Sequence, residues 1–236
     1  GGVAGRVVEQ TTESREYRER GERSEKLEAH RIPGQVDRLD GGGLYRRRAI
    51  EEAGYFSDRN LHSYEEFDLA VRLRSLGWKL WRLPFDSVTH YGHDAPPYQL
   101  LARRWRSRYA WGRGERVRGG MGKPRMKLVT RGVRELRLYL AVLAWWALLL
   151  SVPFWPPAGD VRAIAGATLF AAPFAVMSWR KRSVARGVYS VVSWCVQAAG
   201  LVRGFLAPRQ SPRALIPSLV LQEPRTSARQ GRAMYS

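Results

Sequence analysis

The side chains best suited to proton-transfer chemistry are three carboxylates in the run Ser63-Tyr-Glu-Glu-Phe-Asp-Leu-Ala-Val-Arg-Leu-Arg-Ser-Leu-Gly77. Apolar residues recur at helical spacing along this run, and its final glycine is typical of a helix end. Glu65, Glu66 and Asp68 all fall within the first predicted turn. A carboxylate placed there acts as a general base if it faces a cleft beside a reacting hydroxyl.

The same residues also fit a purely structural role. Ser63 and Glu66 have the spacing of a capping box. Acidic side chains in a first turn are in any case stabilised by the helix dipole. Spacing alone therefore leaves both a catalytic role and a capping role open.

The segments around this helix predict an α/β fold. Hydrophobic patterning predicts strands at residues 3–8, 79–83 and 87–90, and helices at residues 13–31, 47–53 and 64–76. The triplet Gly41-Gly42-Gly43 interrupts the chain, and Gly54 is placed to end the second helix. Strands that alternate with helices are typical of α/β proteins rather than helical bundles.

Five short motifs follow one another along residues 41–90. They are Gly-Gly-Gly-Leu-Tyr-Arg-Arg (41–47), Ala-Ile-Glu-Glu-Ala-Gly-Tyr-Phe-Ser-Asp (49–58), Tyr-Glu-Glu-Phe-Asp-Leu-Ala-Val-Arg-Leu (64–73), Gly-Trp (77–78) and Val-Thr-His (88–90). Their order resembles that of family 2 glycosyltransferases. The resemblance implies the second half of a GT-A-type, Rossmann-like catalytic domain, which transfers a sugar from a nucleotide-diphospho-sugar.

The resemblance also implies a catalytic base. In that family the acidic pair that begins this helix contains the base, usually Asp in the second position; here Glu66 holds that place, preceded by Glu65 and followed by Asp68. An inverting transfer needs one carboxylate to take a proton from the acceptor hydroxyl. It also needs positive charge to stabilise the departing nucleoside diphosphate.

Further site residues follow from the resemblance. His90 resembles a late histidine that in some members helps hold a divalent metal, Mg²⁺ or Mn²⁺, on the diphosphate; a structural, hydrogen-bonded histidine is the alternative. The arginines at positions 103–108 suit either phosphate oxygens or lipid headgroups. The predicted substrate-binding residues are Gly42, Gly43, Arg47, Arg103, Arg104 and Trp105.

Part of the family pattern is absent from this sequence. A complete enzyme of this kind begins with a strand-rich nucleotide-binding half that carries an Asp-x-Asp metal motif, and no Asp-x-Asp occurs here. We therefore expect the chain to correspond to the C-terminal half of the catalytic domain, with little or no transfer by residues 1–236 alone. The single cysteine, Cys195, excludes an internal disulfide and a four-thiolate zinc site.

Two stretches without charge, residues 138–155 and 163–179, predict membrane helices. Eighteen helical residues span roughly 27 Å, close to the hydrocarbon thickness of a bilayer. A proline-rich turn joins the stretches into a hairpin, and arginines flank both outer ends, which places those ends and the catalytic part in the cytoplasm. A third apolar run, residues 187–202, carries Ser190, Ser193 and Gln197 and is either interfacial or spanning.

These patterns divide the chain into a catalytic part (1–97), a basic membrane-surface segment (98–135), membrane helices (136–206) and a disordered basic tail (207–236). The formal charge of +19 indicates anionic partners. The arginines lie beside apolar helices without interleaved aromatic platforms, which favours anionic lipid over nucleic acid. The sequence predicts a membrane-anchored enzyme of envelope polysaccharide or glycolipid synthesis; the alternative is a non-catalytic basic membrane adaptor.

Overall fold

The computed structural model describes residues 1–10, 32–91, 95–133, 135–156, 159–215 and 219. The architecture is mixed α/β, as expected, with a small sheet and a larger number of helices. The helix predicted at residues 13–31 lies outside the described residues.

The sheet is built on two long parallel strands, β1 (Gly2–Gln10) and β4 (Leu80–Tyr91). The short strands β2 (Gly34–Val36) and β3 (Leu44–Tyr45) pair antiparallel with β4 and β1 respectively, giving the order β2-β4-β1-β3. The strands predicted at 79–83 and 87–90 are one continuous strand. The interruption seen in the sequence corresponds to register shifts in the pairing of β4 with β1, next to a proline that has no backbone N–H to donate.

Two helices pack on this sheet at the predicted positions. Helix α1 (Arg47–Ala53) ends at Gly54, which has φ 92°. Helix α2 (Glu65–Ser75) is followed by Gly77 with φ 83°, again a left-handed conformation that favours glycine. Both helix ends confirm the glycine signals. The apolar face of α2 joins the core of the sheet, formed by Ala4, Val36, Leu39, Ala49, Leu69, Ala70, Leu73 and Leu80.

The basic segment is helical and surrounds the other side of α2. It contains α3 (Pro97–Arg106), a 3₁₀ turn (Tyr109–Trp111), α4 (Gly112–Gly120) and α5 (Met126–Gly132). A second core cluster joins α2 to the α5 region through Phe67, Val71, Val129 and Val133. Helix α2 therefore separates two environments.

Two helices are long and apolar enough to cross a membrane. Helix α6 (Leu136–Ser151) continues as a 3₁₀ turn to Phe154, and α7 (Asp160–Lys181) contains Pro173. Only 11% and 6% of their most apolar windows are buried within the protein. Apolar helices with so little cover need an apolar surrounding, which is weak evidence for association with a membrane.

Helix α8 (Val184–Leu206) packs against α7 and, with its second half, against α4. Glycines make the second contact close: a Cβ on Gly204 would collide with the carbonyl oxygen of Trp111, and one on Gly114 with that of Leu201. Gln197, from the polar stripe, accepts a hydrogen bond from Arg113 Nη1 at 2.7 Å. The second half of α8 is thus fixed to α4 and to the 3₁₀ turn before it.

The segment after α8 returns to the loop that follows α1. The Gln210 backbone N–H donates to Asn60 Oδ1 at 2.8 Å, and Asn60 Nδ2 donates to the Gln210 carbonyl at 2.9 Å. Arg213 Nε donates to the carbonyl of Gly54 at 3.2 Å. Residues 210 and 213, in the segment for which disorder was expected, are thus bonded to the loop at 54–60.

Candidate functional site

A cavity of about 260 Å³ opens beside the first turn of α2. It brings Glu65 and Glu66 together with the glycine turn at 41–43, which lies more than 20 residues earlier in the chain. The lining residues are Asp40, Gly41, Gly42, Gly43, Tyr45, Phe56, Ser57, Glu65, Glu66 and Leu69. Four predicted site residues, the two glutamates with Gly42 and Gly43, are thus neighbours in space.

The glycine turn is shaped by close packing. Gly42 has φ 83°, and a Cβ at this position would collide with Cγ2 of Val88. A residue with a side chain would be strained by the backbone conformation and would also displace β4. The turn therefore lies against the sheet and leaves the space in front of Glu66 open.

Tyr45 is a functional candidate that the sequence analysis missed. Its hydroxyl is buried and has no hydrogen-bond partner among the described residues. Burial raises the pKa of Tyr45 to about 12, with further increases from Glu66 and Asp40 and an opposing effect of Arg82. The phenol is thus a neutral, unused donor that lines the cavity. The sequence signal was its place two residues after the glycine turn.

The two glutamates differ in exposure. Glu66 is exposed, whereas Glu65 is partly buried. Burial is the main cause that raises the pKa of Glu65, and the charges of Glu66 and Glu115 raise this pKa further. The residue's own backbone N–H and His62 act in the opposite direction and lower the pKa. Glu66 is consequently the carboxylate that a solute can reach.

The start of α2 is held by tertiary contacts rather than by a capping box. Tyr64, the residue before the helix, has φ 71° and no side-chain cap is formed there. Ser63 Oγ instead donates to the carbonyl of Tyr109 at 2.9 Å. The capping alternative for Ser63 and Glu66 is therefore wrong, and the Glu66 carboxylate does not cap the N-terminus of its own helix.

His62 and Glu115 form a second feature that sequence spacing did not reveal. The Glu115 carboxylate, 2% exposed, lies 2.8 Å from His62 Nδ1 and accepts the His62 backbone N–H at 3.0 Å. The pair ties the loop before α2 to α4. The residues are 53 positions apart, so no local pattern could predict the contact.

Asp68 does not line the cavity. It lies on the opposite side of α2, where it is buried and accepts Arg72 Nε at 2.7 Å and pairs with Arg116 Nη1 at 3.0 Å. Arg72 also donates to the carbonyls of Ala53, Tyr55 and Phe56. A carboxylate held by two guanidinium groups is unsuited to accept a substrate proton, so the geometry gives Asp68 a structural role.

The remaining predicted residues lie elsewhere. Arg47 is exposed and pairs with Glu51 at 2.7 Å. His90 lies on the exposed end of β4, two residues beyond Val88. Arg103, Arg104 and Trp105 belong to α3, and Trp105 lines a separate, mainly apolar cleft of about 660 Å³ between α3, α6 and α8. The structure does not bring these residues into the small cavity.

A metal site of this chain's own is not formed by the described residues. Within those ranges no three side chains of the His, Cys, Asp and Glu types come together as ligands. His90 is thus a single potential donor without a donor set, and no step is assigned to a metal.

No family model, no curated protein and no solved structure matches this chain. Its chemistry follows from its own geometry: an exposed carboxylate, a partly buried carboxylate and a neutral phenol donor around one cavity. At about 260 Å³ the cavity is smaller than the roughly 300–1,000 Å³ of typical small-molecule sites. It therefore fits one ring of a larger ligand rather than a whole nucleotide.

Proposed function

We propose that this chain carries the catalytic carboxylate of a membrane-anchored, family 2-like glycosyltransferase that acts on an envelope polysaccharide or glycolipid acceptor. One observation supports this above the others. The cavity unites Glu66 with Gly42 and Gly43, residues far apart in the sequence that the resemblance assigns to catalysis and to substrate binding.

In the proposed reaction Glu66 acts as the general base. Its carboxylate takes the proton from an acceptor hydroxyl while that oxygen forms a bond to the anomeric carbon of the donor sugar. The bond from that carbon to the diphosphate oxygen breaks, and the nucleoside diphosphate leaves with the electron pair. The exposure of Glu66 supports this role, since the base must contact the acceptor.

The surroundings of the base support sugar binding. Tyr45 and Phe56 meet edge to face with ring centroids 5.8 Å apart, and both line the cavity. Aromatic faces pack on the apolar faces of sugar rings, and the unpartnered Tyr45 hydroxyl can donate to a sugar hydroxyl. Under this proposal Arg47, Arg103 and Arg104 contact phosphate groups of the substrates, as the resemblance implies.

A divalent metal, Mg²⁺ or Mn²⁺, would supply electrostatic stabilisation of the leaving diphosphate. His90 is the residue that the resemblance assigns to it. The described residues do not complete its ligand set, so the steps assigned to this chain are proton removal and sugar orientation.

The proposal places α6 and α7 across the membrane as a hairpin with the catalytic part in the cytoplasm. Arginines at both outer ends, among them Arg131, Arg137 and Arg180, support this orientation by the positive-inside rule. The apolar cleft beside Trp105 faces α6 and α8, which supports a lipid-type acceptor or contact with membrane lipid.

The test is sugar transfer in lipid nanodiscs by these residues together with the nucleotide-binding half that the resemblance implies, supplied with a panel of nucleotide-diphospho-sugars. Glu66→Gln should lower the rate by about 10²–10⁴-fold, the usual contribution of general acid–base catalysis. Glu52→Gln, on the exposed surface of α1 where it pairs with Arg48, is the matched control and should retain the wild-type rate.

Full transfer by Glu66→Gln would reject the assignment of the base. A wild-type protein that binds no nucleotide-sugar saturably would reject the glycosyltransferase proposal and favour a basic membrane adaptor. Both outcomes are read from the same preparation.

A further inference from the structure

A second site lies on the side of α2 opposite the cavity. There Asp68 is the buried acceptor for two guanidinium groups, those of Arg72 and Arg116. The three side chains are 3%, 4% and 1% exposed for Arg72, Asp68 and Arg116 respectively. One carboxylate thus faces two buried positive charges.

Arg116 has unused hydrogen-bond donors. Its Nη1 binds Asp68, but its Nε and Nη2 are buried and have no partner among the described residues; its guanidinium carbon lies 5.5 Å from the centre of the Phe67 ring. The Nε of Arg125 is buried and likewise without a partner within the described ranges. Buried donors that lose water without gaining an acceptor are costly, which indicates that an acceptor is missing.

Further cations stand around these donors. Burial lowers the pKa of Arg116, and the charge of Asp68 raises this pKa. The charges of Arg125 and Arg72 lower the pKa of Arg116 further, so both act on its guanidinium. Lys123 has its pKa lowered by burial first and then by Arg125 and Arg209.

Two carboxylates oppose the cations. They are Asp68 and Asp58, whose Oδ2 lies 3.5 Å from Arg209 Nη2. Among the charged groups of the described residues that act on Arg116 and Lys123, the cations therefore outnumber the two carboxylates. The cations are Arg72, Arg116, Lys123, Arg125 and Arg209.

We propose that Arg116, Lys123 and Arg125 form a binding site for a phosphate group. Phosphate oxygens accept the paired N–H groups of a guanidinium and provide the negative charge that the cluster lacks. Lys123 and Arg125, in or beside the turn between α4 and α5, are partly exposed, whereas Arg116 is buried. The site is separate from the carboxylate cavity and does not depend on sugar transfer.

The bound phosphate group can belong to either of two kinds of molecule, a phospholipid or a soluble phosphate compound. Helix α5 lies a few residues before the apolar helix α6, so the headgroup of an anionic phospholipid can reach the turn. A soluble phosphate group is the other source. The chemistry of recognition is the same for both, and two measurements separate them.

The first measurement is thermal unfolding of the intact protein, delipidated in neutral detergent, as inorganic phosphate replaces chloride at constant ionic strength. Phosphate should raise the Tm, because a ligand that binds only the folded state stabilises it. The double variant Lys123→Gln/Arg125→Gln should need at least about tenfold more phosphate for the same shift, since it removes two charged donors to the phosphate oxygens. Arg131→Gln, an exposed arginine of α5, should respond as wild type.

The second measurement is native mass spectrometry after reconstitution in vesicles of phosphatidylglycerol or phosphatidylcholine. Retention of phosphatidylglycerol that the double variant loses assigns the site to lipid; a phosphate-dependent Tm shift without lipid retention assigns it to soluble phosphate. Absence of both effects, or equal effects in wild type and double variant, would overturn the proposal. If the double variant does not fold, Lys123→Gln alone provides the same comparison at a partly exposed position.

Discussion

The two faces of α2 carry the same kind of side chain in opposite environments. On one face the carboxylates of Glu65 and Glu66 border a cavity, with a neutral tyrosine as their neighbour. On the other face Asp68 is buried between Arg72 and Arg116. Three acids within four positions therefore serve two different purposes.

The difference shows that counter-charge and exposure, rather than spacing, separate an accessible carboxylate from a buried, paired one. The Asp68 carboxylate binds two guanidinium groups, so both of its oxygens already accept hydrogen bonds. Glu66 is exposed beside open space and keeps its lone pairs available. The comparison can be tested by changing each face separately.

The largest expected effect follows removal of the buried charge. Asp68→Asn leaves two buried guanidinium groups without an anion, and breaking a buried pair in this way costs about 3–5 kcal/mol. Chemical denaturation of the intact protein in detergent measures the loss. Glu66→Gln is the matched variant on the other face and should stay within about 0.5 kcal/mol of wild type; equal losses would remove the distinction between the faces.

A slightly smaller effect is expected where α8 meets α4. Helix α4 supplies Glu115 to the loop before α2 and Arg116 to Asp68 of α2. Gly114→Val would collide with the backbone of α8 and should lower stability by about 1–3 kcal/mol, the usual cost of overpacking. The control is Gly119→Val on the same helix, where a Cβ would meet no atom of the described residues within 4 Å. Thermal unfolding of both variants gives the comparison.

The role of the Tyr45 hydroxyl on the cavity face is tested by the substitution Tyr45→Phe. If the buried hydroxyl donates to the substrate, its loss should reduce transfer by up to about tenfold, in line with roughly 0.5–1.5 kcal/mol for one hydrogen bond. Stability should not fall, because the hydroxyl has no partner among the described residues. Tyr91→Phe, at an exposed site of β4, serves as control, and equal rates for both variants would exclude Tyr45 from binding.

The smallest effect is a pH dependence from Glu65. Burial raises its pKa above the ordinary 4.5, so the folded protein holds this proton more tightly than the unfolded chain. The resulting stability is present below that ordinary value and is lost as the pH rises through the folded-state pKa.

Glu65→Gln does not titrate, so its Tm should gain on that of wild type as the pH increases from 4 to 7. A Tm difference that is constant over this range would contradict the raised pKa. The measurement needs only a series of buffers with one variant.

Local signals in the sequence were sufficient for β1, α1, α2 and the apolar helices, and for four of the ten residues that line the cavity. Gly54 and Gly77 marked helix ends correctly because the left-handed conformation selects glycine locally. The motif order brought Gly42, Gly43 and Glu66 into one expected site, and the structure places them together.

The rest depends on contacts between distant residues. The opposite roles of Asp68 and Glu66 are set by Arg116, 48 positions beyond Asp68, and His62 meets Glu115 across 53 positions. The unpartnered state of the Tyr45 hydroxyl is likewise visible only when the packing around it is known. Neither periodicity nor spacing contains that information.

The returning tail limits how often the chain can pass through a bilayer. Residues 209–213 bond to the loop at 54–60, so the end of α8 and the catalytic part share one side. If α6 and α7 each traverse the bilayer, the chain is back on that side before α8 begins. Under that condition the number of traverses is even, and α8, despite its 23 residues, does not complete one, which agrees with the interfacial alternative.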